Sequence, residues 1–165
     1  MIGPQANDSL VLLGNYHGDP AFANVSTPLE AIDRYVARSQ NPHVPVKYAH
    51  GCSVVGDGAW EFTDALAAAE MAETTILFLG GSAKGSNDGV VHLDTTEKEG
   101  LDRTSLSLPG LQEDLLRAIA ARTSTRIVLV IVAGGPISLE WAKASPRVSA
   151  ILYAWYVVLQ LKKSH

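Results

Sequence analysis

The sequence predicts an α/β domain in three layers, a mostly parallel sheet with helices on both faces. Three observations point there. Apolar, β-branched runs at residues 75–79, 126–133 and 148–153 alternate with segments of helical spacing. The run RIVLVIVA at 126–133 is apolar without alternation, as a strand buried on both faces reads. The chain has 165 residues, of which 47% are apolar and 18% charged, enough for one domain with a single core and short for two.

Taken in order, Met1-Ile2 ahead of Gly3-Pro4 reads as the end of a strand. A helix starts at Thr27-Pro28, with Thr27 as N-cap, Pro28 in the first turn and Glu30 completing a capping box. Its apolar face is Leu29, Ile32, Tyr35 and Val36. Residues 46–49 form a short strand, and the Ala-rich stretch 60–73 forms a helix. The strand at 75–79 leads into a long polar loop. A helix of about a dozen residues follows from near Leu108, with Leu111, Leu115, Leu116 and Ile119 at helical spacing. After the strand at 126–133, Gly134-Gly135-Pro136 turns the chain into a short helix around 139–144, and 148–153 is the last strand. No repeat or low-complexity linker interrupts this order. Both ends read as cut: the first strand begins in its middle, and the last runs into a tail without helix-closing residues.

Several function classes are disfavoured. A net charge of −4 leaves no basic footprint for nucleic acid or an anionic membrane. No apolar run approaches the roughly 20 residues that span a bilayer, and the first residues lack a signal-peptide pattern. The triplets Asn7-Asp8-Ser9 and Asn24-Val25-Ser26 are compatible with secretion. The single cysteine, Cys52, excludes an internal disulfide and a cysteine-based zinc site, and the five histidines lack metal-ligand spacing. His17 and His92 read as solvated loop side chains. His50 and Cys52, two apart in an extended segment, point to opposite faces and make a poor nucleophile–base pair. Gly80-Gly81-Ser82 and Gly134-Gly135-Pro136 match neither a dinucleotide fingerprint nor a Walker loop, and read as tight turns at strand ends. No cofactor is expected. Trp60, Trp141 and Trp155 could stack on sugars, but tryptophans at helical and strand positions are more often core or partly buried packing.

The informative stretch is residues 92–110, HLDTTEKEGLDRTSLSLPG, which crowds Asp94, Glu97, Glu99, Asp102 and Arg103 into ten positions. It follows the strand at 75–79, and ligands in parallel sheets meet the carboxyl ends of the strands. A carboxyl group there suits general-acid work, because desolvation by a bound ligand raises its pKa. The alternative is solvated charge ahead of a helix N-terminus. Asp102 and Arg103 read as a bracing pair joined by charge-assisted hydrogen bonds.

Several motifs together resemble a known family. IGPQAND, LVLLGNYHGDP, TPLEAI, YAHGC, ILFLGG, T-x-E-x-E-x-x-D-R-x-x-L-x-LPG-x-Q, IVLVIVAGGPISLEWAK and VSAILYAWY resemble the second domain of glycoside hydrolase family 3, especially its β-xylosidase and β-glucosidase members. The resemblance covers residues 1–156, leaving 157–165 as a divergent tail in place of the family's Tyr-Pro-Gly-Gln-like segment. It implies a flavodoxin-like sandwich, here incomplete, partnered by an N-terminal TIM barrel that bears the nucleophilic Asp. It further implies retaining hydrolysis of β-linked xylosides or glucosides, with an acid/base Glu from this domain. Glu97, the first of the E-x-E pair, matches that Glu, with Glu99 in reserve and Asp102-Arg103 as the D-R that follows. The isolated chain is then expected to be inactive. Two other classes remain open: a non-catalytic carbohydrate-binding or interaction module, and a flavodoxin-like nucleotide or flavin binder.

Overall fold

The three β-branched runs become three parallel strands, β1 (Thr74–Gly80), β2 (Arg126–Val132) and β3 (Val148–Tyr153), hydrogen-bonded in that order. The computed structural model describes residues 1–16, 25–40, 43–56, 62–83 and 95–156. His17, Asn24, Trp60, His92, Asp94 and the tail 157–165 lie outside these residues. Thr74 pairs with Arg126 and the register holds to Gly80 opposite Val132. Between β2 and β3 the register slips once, after Ile127.

The two short strand-like segments extend this sheet. Ile2 bridges in parallel to Leu77 on one side and to Ala49 on the other. Its N–H donates to the Ile76 carbonyl at 2.9 Å, and its carbonyl accepts from the Phe78 N–H at 2.8 Å. Across the sheet the order is Ala49, Ile2, β1, β2, β3, which in chain order is 2-1-3-4-5, the flavodoxin-like arrangement. The expected α/β class is what is found.

One face carries the main core. Leu77 and Leu79 of β1 and Ile127, Leu129 and Ile131 of β2 meet α2 (Phe62–Glu70) through Ala65, Leu66 and Ala69, and α3 (Gln112–Arg122) through Leu115, Leu116 and Ile119. The short α4 (Glu140–Ala144) adds Ala142. Trp141, at its second residue, packs half-buried beside this core, with the Arg117 guanidinium 4.7 Å from its ring centroid. Period-two alternation sends Phe78 and Val130 to the other face, where they pack with Ala6 and with Ile32 of α1 (Pro28–Arg38).

Several element expectations change: the strand expected over 46–49 is a single bridge at Ala49, and the helix expected over 60–73 ends at Glu70. The helix placed near Leu108 begins only at Gln112, because Pro109-Gly110 forms a turn with Gly110 at φ +54°. Leu108 is buried ahead of it. In α1 the capping box forms as read, but no residue of the helix is fully buried and Tyr35 is 76% exposed. Its stripe of Leu29, Ile32 and Val36 meets only a narrow apolar patch.

Candidate active site

The site lies at the carboxyl ends of β1, β2 and β3. After Gly80, the Gly81 N–H donates to the Val132 carbonyl at 3.0 Å, holding the β1 exit beside the β2 exit. The acidic stretch then returns to the sheet and is stitched to Ser82. Thr96 and Glu97 both donate their N–H groups to the Ser82 carbonyl, at 2.8 and 3.2 Å, and Thr96 Oγ1 accepts from the Ser82 N–H at 2.8 Å. This pairing sends the Glu97 side chain across the strand ends.

Three donors surround the Glu97 carboxylate. Oε1 accepts from the Tyr156 hydroxyl at 2.6 Å and from the Gly134 N–H at 2.5 Å. Oε2 lies 3.4 Å from Arg103 Nε, each side chain being 12% exposed. Glycines make the room: a Cβ on Gly81 would lie 2.6 Å from Glu97 Cδ, and one on Gly134 would lie 2.8 Å from the Tyr156 ring. Arg103 also donates through Nη2 to the Pro136 carbonyl. Among the described residues, Glu97 Oε2 and Arg103 Nη1 are buried without a hydrogen-bond partner, so this ion pair is held by charge more than by good geometry. Tyr153 donates to the Gly135 carbonyl on the same rim.

Burial, then the hydrogen bond to Glu97 and its charge, push the Tyr156 phenol far above its ordinary value, against smaller opposing effects of Gly134 and Arg103. Tyr153 shifts up for the same first reason, with Glu97 second.

Glu99 stands differently. Lys98 and Leu101 close a turn through the Leu101 N–H and the Lys98 carbonyl at 3.0 Å, with Gly100 at φ +75° in its third position. That is the position at which a type II turn needs a left-handed residue. Glu99 is therefore at the exposed apex of the loop, and nothing lies within 4 Å of where a Gly100 Cβ would be. The Tyr16 hydroxyl bonds to Glu99, and this bond leads the causes that raise its own pKa. Asp102 is exposed. With Arg103, Thr95, Thr96, Ser105 and Ser107 it borders an open cavity of about 540 Å³ beside the loop.

The remaining candidates are separated from this cluster or differ in exposure. Cys52 is wholly buried in the main core while His50 is exposed. Trp155 is 53% exposed, in contact with Tyr153 at 4.8 Å between ring centroids, and it holds a positive φ of 55°. Sequence reasoning found the acidic residues but not Tyr156, Gly81, Gly134 or Tyr16. The two glycine doublets were the available signal. They read as turns, and their second use, leaving space for a buried carboxylate and a phenol, depends on what packs over them.

Comparison with known proteins identifies the family of the domain. The model of the glycosyl hydrolase family 3 C-terminal domain matches residues 1–160. Beta-D-xylosidase 1 of Arabidopsis thaliana is 36% identical over 158 residues, 94% of this chain and 18% of that protein. Beta-xylosidase/alpha-L-arabinofuranosidase 1 of Medicago sativa subsp. varia is 31% identical over 156 residues, 94% of the chain and 17% of the relative. Among solved structures, a GH3 exo-beta-xylosidase (XlnD) in complex with a xylobiose aziridine activity-based probe aligns with a TM-score of 0.74 at 26% identity, covering 94% of this chain and 17% of that one. The chain thus spans less than a fifth of the length of these relatives. It belongs to glycosyl hydrolase family 3, and the part of the family it matches is the C-terminal domain.

Proposed function

We propose that the chain is the C-terminal domain of a retaining, exo-acting β-glycosidase for β-linked xylosides or glucosides, and that its 95–103 loop supplies the acid/base carboxylate. The substrate class rests on the printed names of the relatives, several of them beta-D-xylosidases. The nucleophilic Asp would come from a barrel domain beyond the chain, so residues 1–165 alone are inactive. A retaining glycosidase needs two carboxyl groups flanking the scissile bond, about 5–5.5 Å apart.

Between the two glutamates we assign the proton transfer to Glu99. An acid/base group must come within hydrogen-bond reach of the glycosidic oxygen. Glu97 has Oε1 occupied by two donors and Oε2 closed off from solvent, whereas Glu99 is exposed at the loop apex. That contrast carries the reading. Protonated Glu99 gives its proton to the leaving oxygen as the nucleophile attacks the anomeric carbon. The resulting carboxylate then takes a proton from the water that releases the sugar. Glu97 anchors the loop.

The test is a chimera of the Arabidopsis Beta-D-xylosidase 1 that carries residues 1–156 in place of its matching segment. E99Q should lower kcat on xylosides with poor leaving groups by roughly 10²–10⁴-fold, lower it far less on activated aryl xylosides, and respond to azide. Azide rescue of E97Q instead would move the role to Glu97. No azide response from either variant would remove it from this loop, and turnover of an aryl xyloside by the isolated chain would overturn the two-domain reading.

A further inference from the structure

We propose that Tyr156 is a positioning residue, acting through Glu97 to fix the turn that carries Glu99. The proposal rests on the assignment of acid/base chemistry to this loop. Tyr156 lies just beyond β3, its ring half-buried against Val11, Leu12 and Val132, and its hydroxyl donates to Glu97 Oε1 at 2.6 Å. Burial and the neighbouring carboxylate keep that phenol protonated through neutral pH, so it is always the donor. The loop is pinned on both sides of Glu99. Glu97 is held by Tyr156 and Gly134, and Arg103 by Glu97 and the Pro136 carbonyl. Five residues separate the pins, so freedom at Glu97 becomes freedom at the apex. The glycines at 81 and 134 leave the space that the Glu97 carboxylate and the Tyr156 ring occupy, since a Cβ at either would collide with one of them. Removing the hydroxyl strips one of two donors from a buried oxygen, and the carboxylate then gains by leaving the slot for water.

The experiment is a double-mutant cycle on the 165-residue chain with Y156F, E97Q and the pair, followed by amide exchange at Thr96 and Glu97. Both of these N–H groups bond Ser82. Each single variant should exchange about 10-fold faster there, with the double variant no faster than either, as expected for two residues sharing one interaction. Multiplying effects would overturn the proposal. In the wild-type chain the Tyr156 hydroxyl proton should give a slowly exchanging downfield resonance that moves upfield in E97Q, a measurement that does not need Y156F to fold. An unmoved resonance would overturn it as well. In the active chimera, Y156F should lower kcat by roughly 10–100-fold with KM little changed, the mark of a misplaced catalytic group. An unchanged kcat with E99Q still impaired would sink the positioning role and leave the acid/base assignment standing. Failure of that assignment would leave the exchange cycle intact.

Discussion

Glu97 occupies a slot whose walls are absences of side chain. Gly81 on one side and Gly134 on the other let a carboxylate lie against the ends of β1 and β2, where any Cβ would collide with it or with Tyr156. A buried carboxylate is tolerated only where donors meet it, and here a phenol, a backbone N–H and a guanidinium do so. Gly81→Ala should therefore force Glu97 out and destabilise the domain by about 1–3 kcal/mol, the range for overpacking a filled site, as read by urea unfolding. The acidic residues of this loop were legible because charge in a loop is visible in one dimension. The glycines' role was not, since it exists only once Tyr156 and Glu97 arrive from positions 59 residues apart.

At the level of elements, one side chain joins three of them. Gln112, the first residue of α3, is wholly buried and spends both ends of its amide on backbone. It donates to the carbonyls of Gly80 and Val54 at 2.8 and 3.0 Å, and accepts from the Gly80 N–H at 2.6 Å. It ties the helix start to the β1 exit and to the loop after Ala49, and so sets where the Gly81–Ser82 backbone leaves the sheet. Gln112→Leu keeps the volume but leaves these groups unpaired in the core, at about 1–3 kcal/mol for each buried group. The expected outcome is a fall in the urea midpoint larger than that of Arg117→Ala on the exposed face of the same helix, where Arg117 pairs with Glu113 and Trp141. The sequence placed α1 correctly from Thr27, Pro28 and Glu30, because capping chemistry is local. It placed the α3 start four residues early, because Leu108 is apolar for a tertiary reason: it fills the core from the turn before the helix.

For the molecule as a whole, the tyrosines at the rim link the site to stability. Tyr153 and Tyr156 hold their protons more tightly folded than unfolded, since both are raised by burial and by Glu97. The unfolded chain releases those protons near pH ~10, the ordinary tyrosine value. Above that the unfolded state holds fewer of these two protons than the folded one, so the tyrosines' contribution to unfolding free energy is steady below about pH 9 and falls as pH rises through about 10. Each proton retained by the folded state steepens the fall by about 1.4 kcal/mol per pH unit. Y156F should show a shallower alkaline decline in urea titrations than the wild-type chain. A slope unchanged by the substitution would remove Tyr156 from this account.

What the sequence determined by itself is the class and the order of the sheet-forming runs. Hydrophobic period and β-branching are properties of neighbouring residues, and a short β-branched run apolar on both faces, ended by glycines, reads as a covered strand. It also singled out one loop as the candidate site, because that loop follows a strand and carries the carboxyl groups. The tertiary structure decided the rest. Ile2 and Ala49, read as strand positions from the sequence, received their partners only in the fold, Ile2 bridging β1 and Ala49 bridging Ile2. Glu97, matched by resemblance, and Glu99, held in reserve two residues on, were separated into a carboxylate enclosed by donors and an exposed one. That separation depends on Tyr156, Gly134 and Arg103 converging from three segments, and no spacing along a single chain encodes which of two carboxylates such a convergence will enclose.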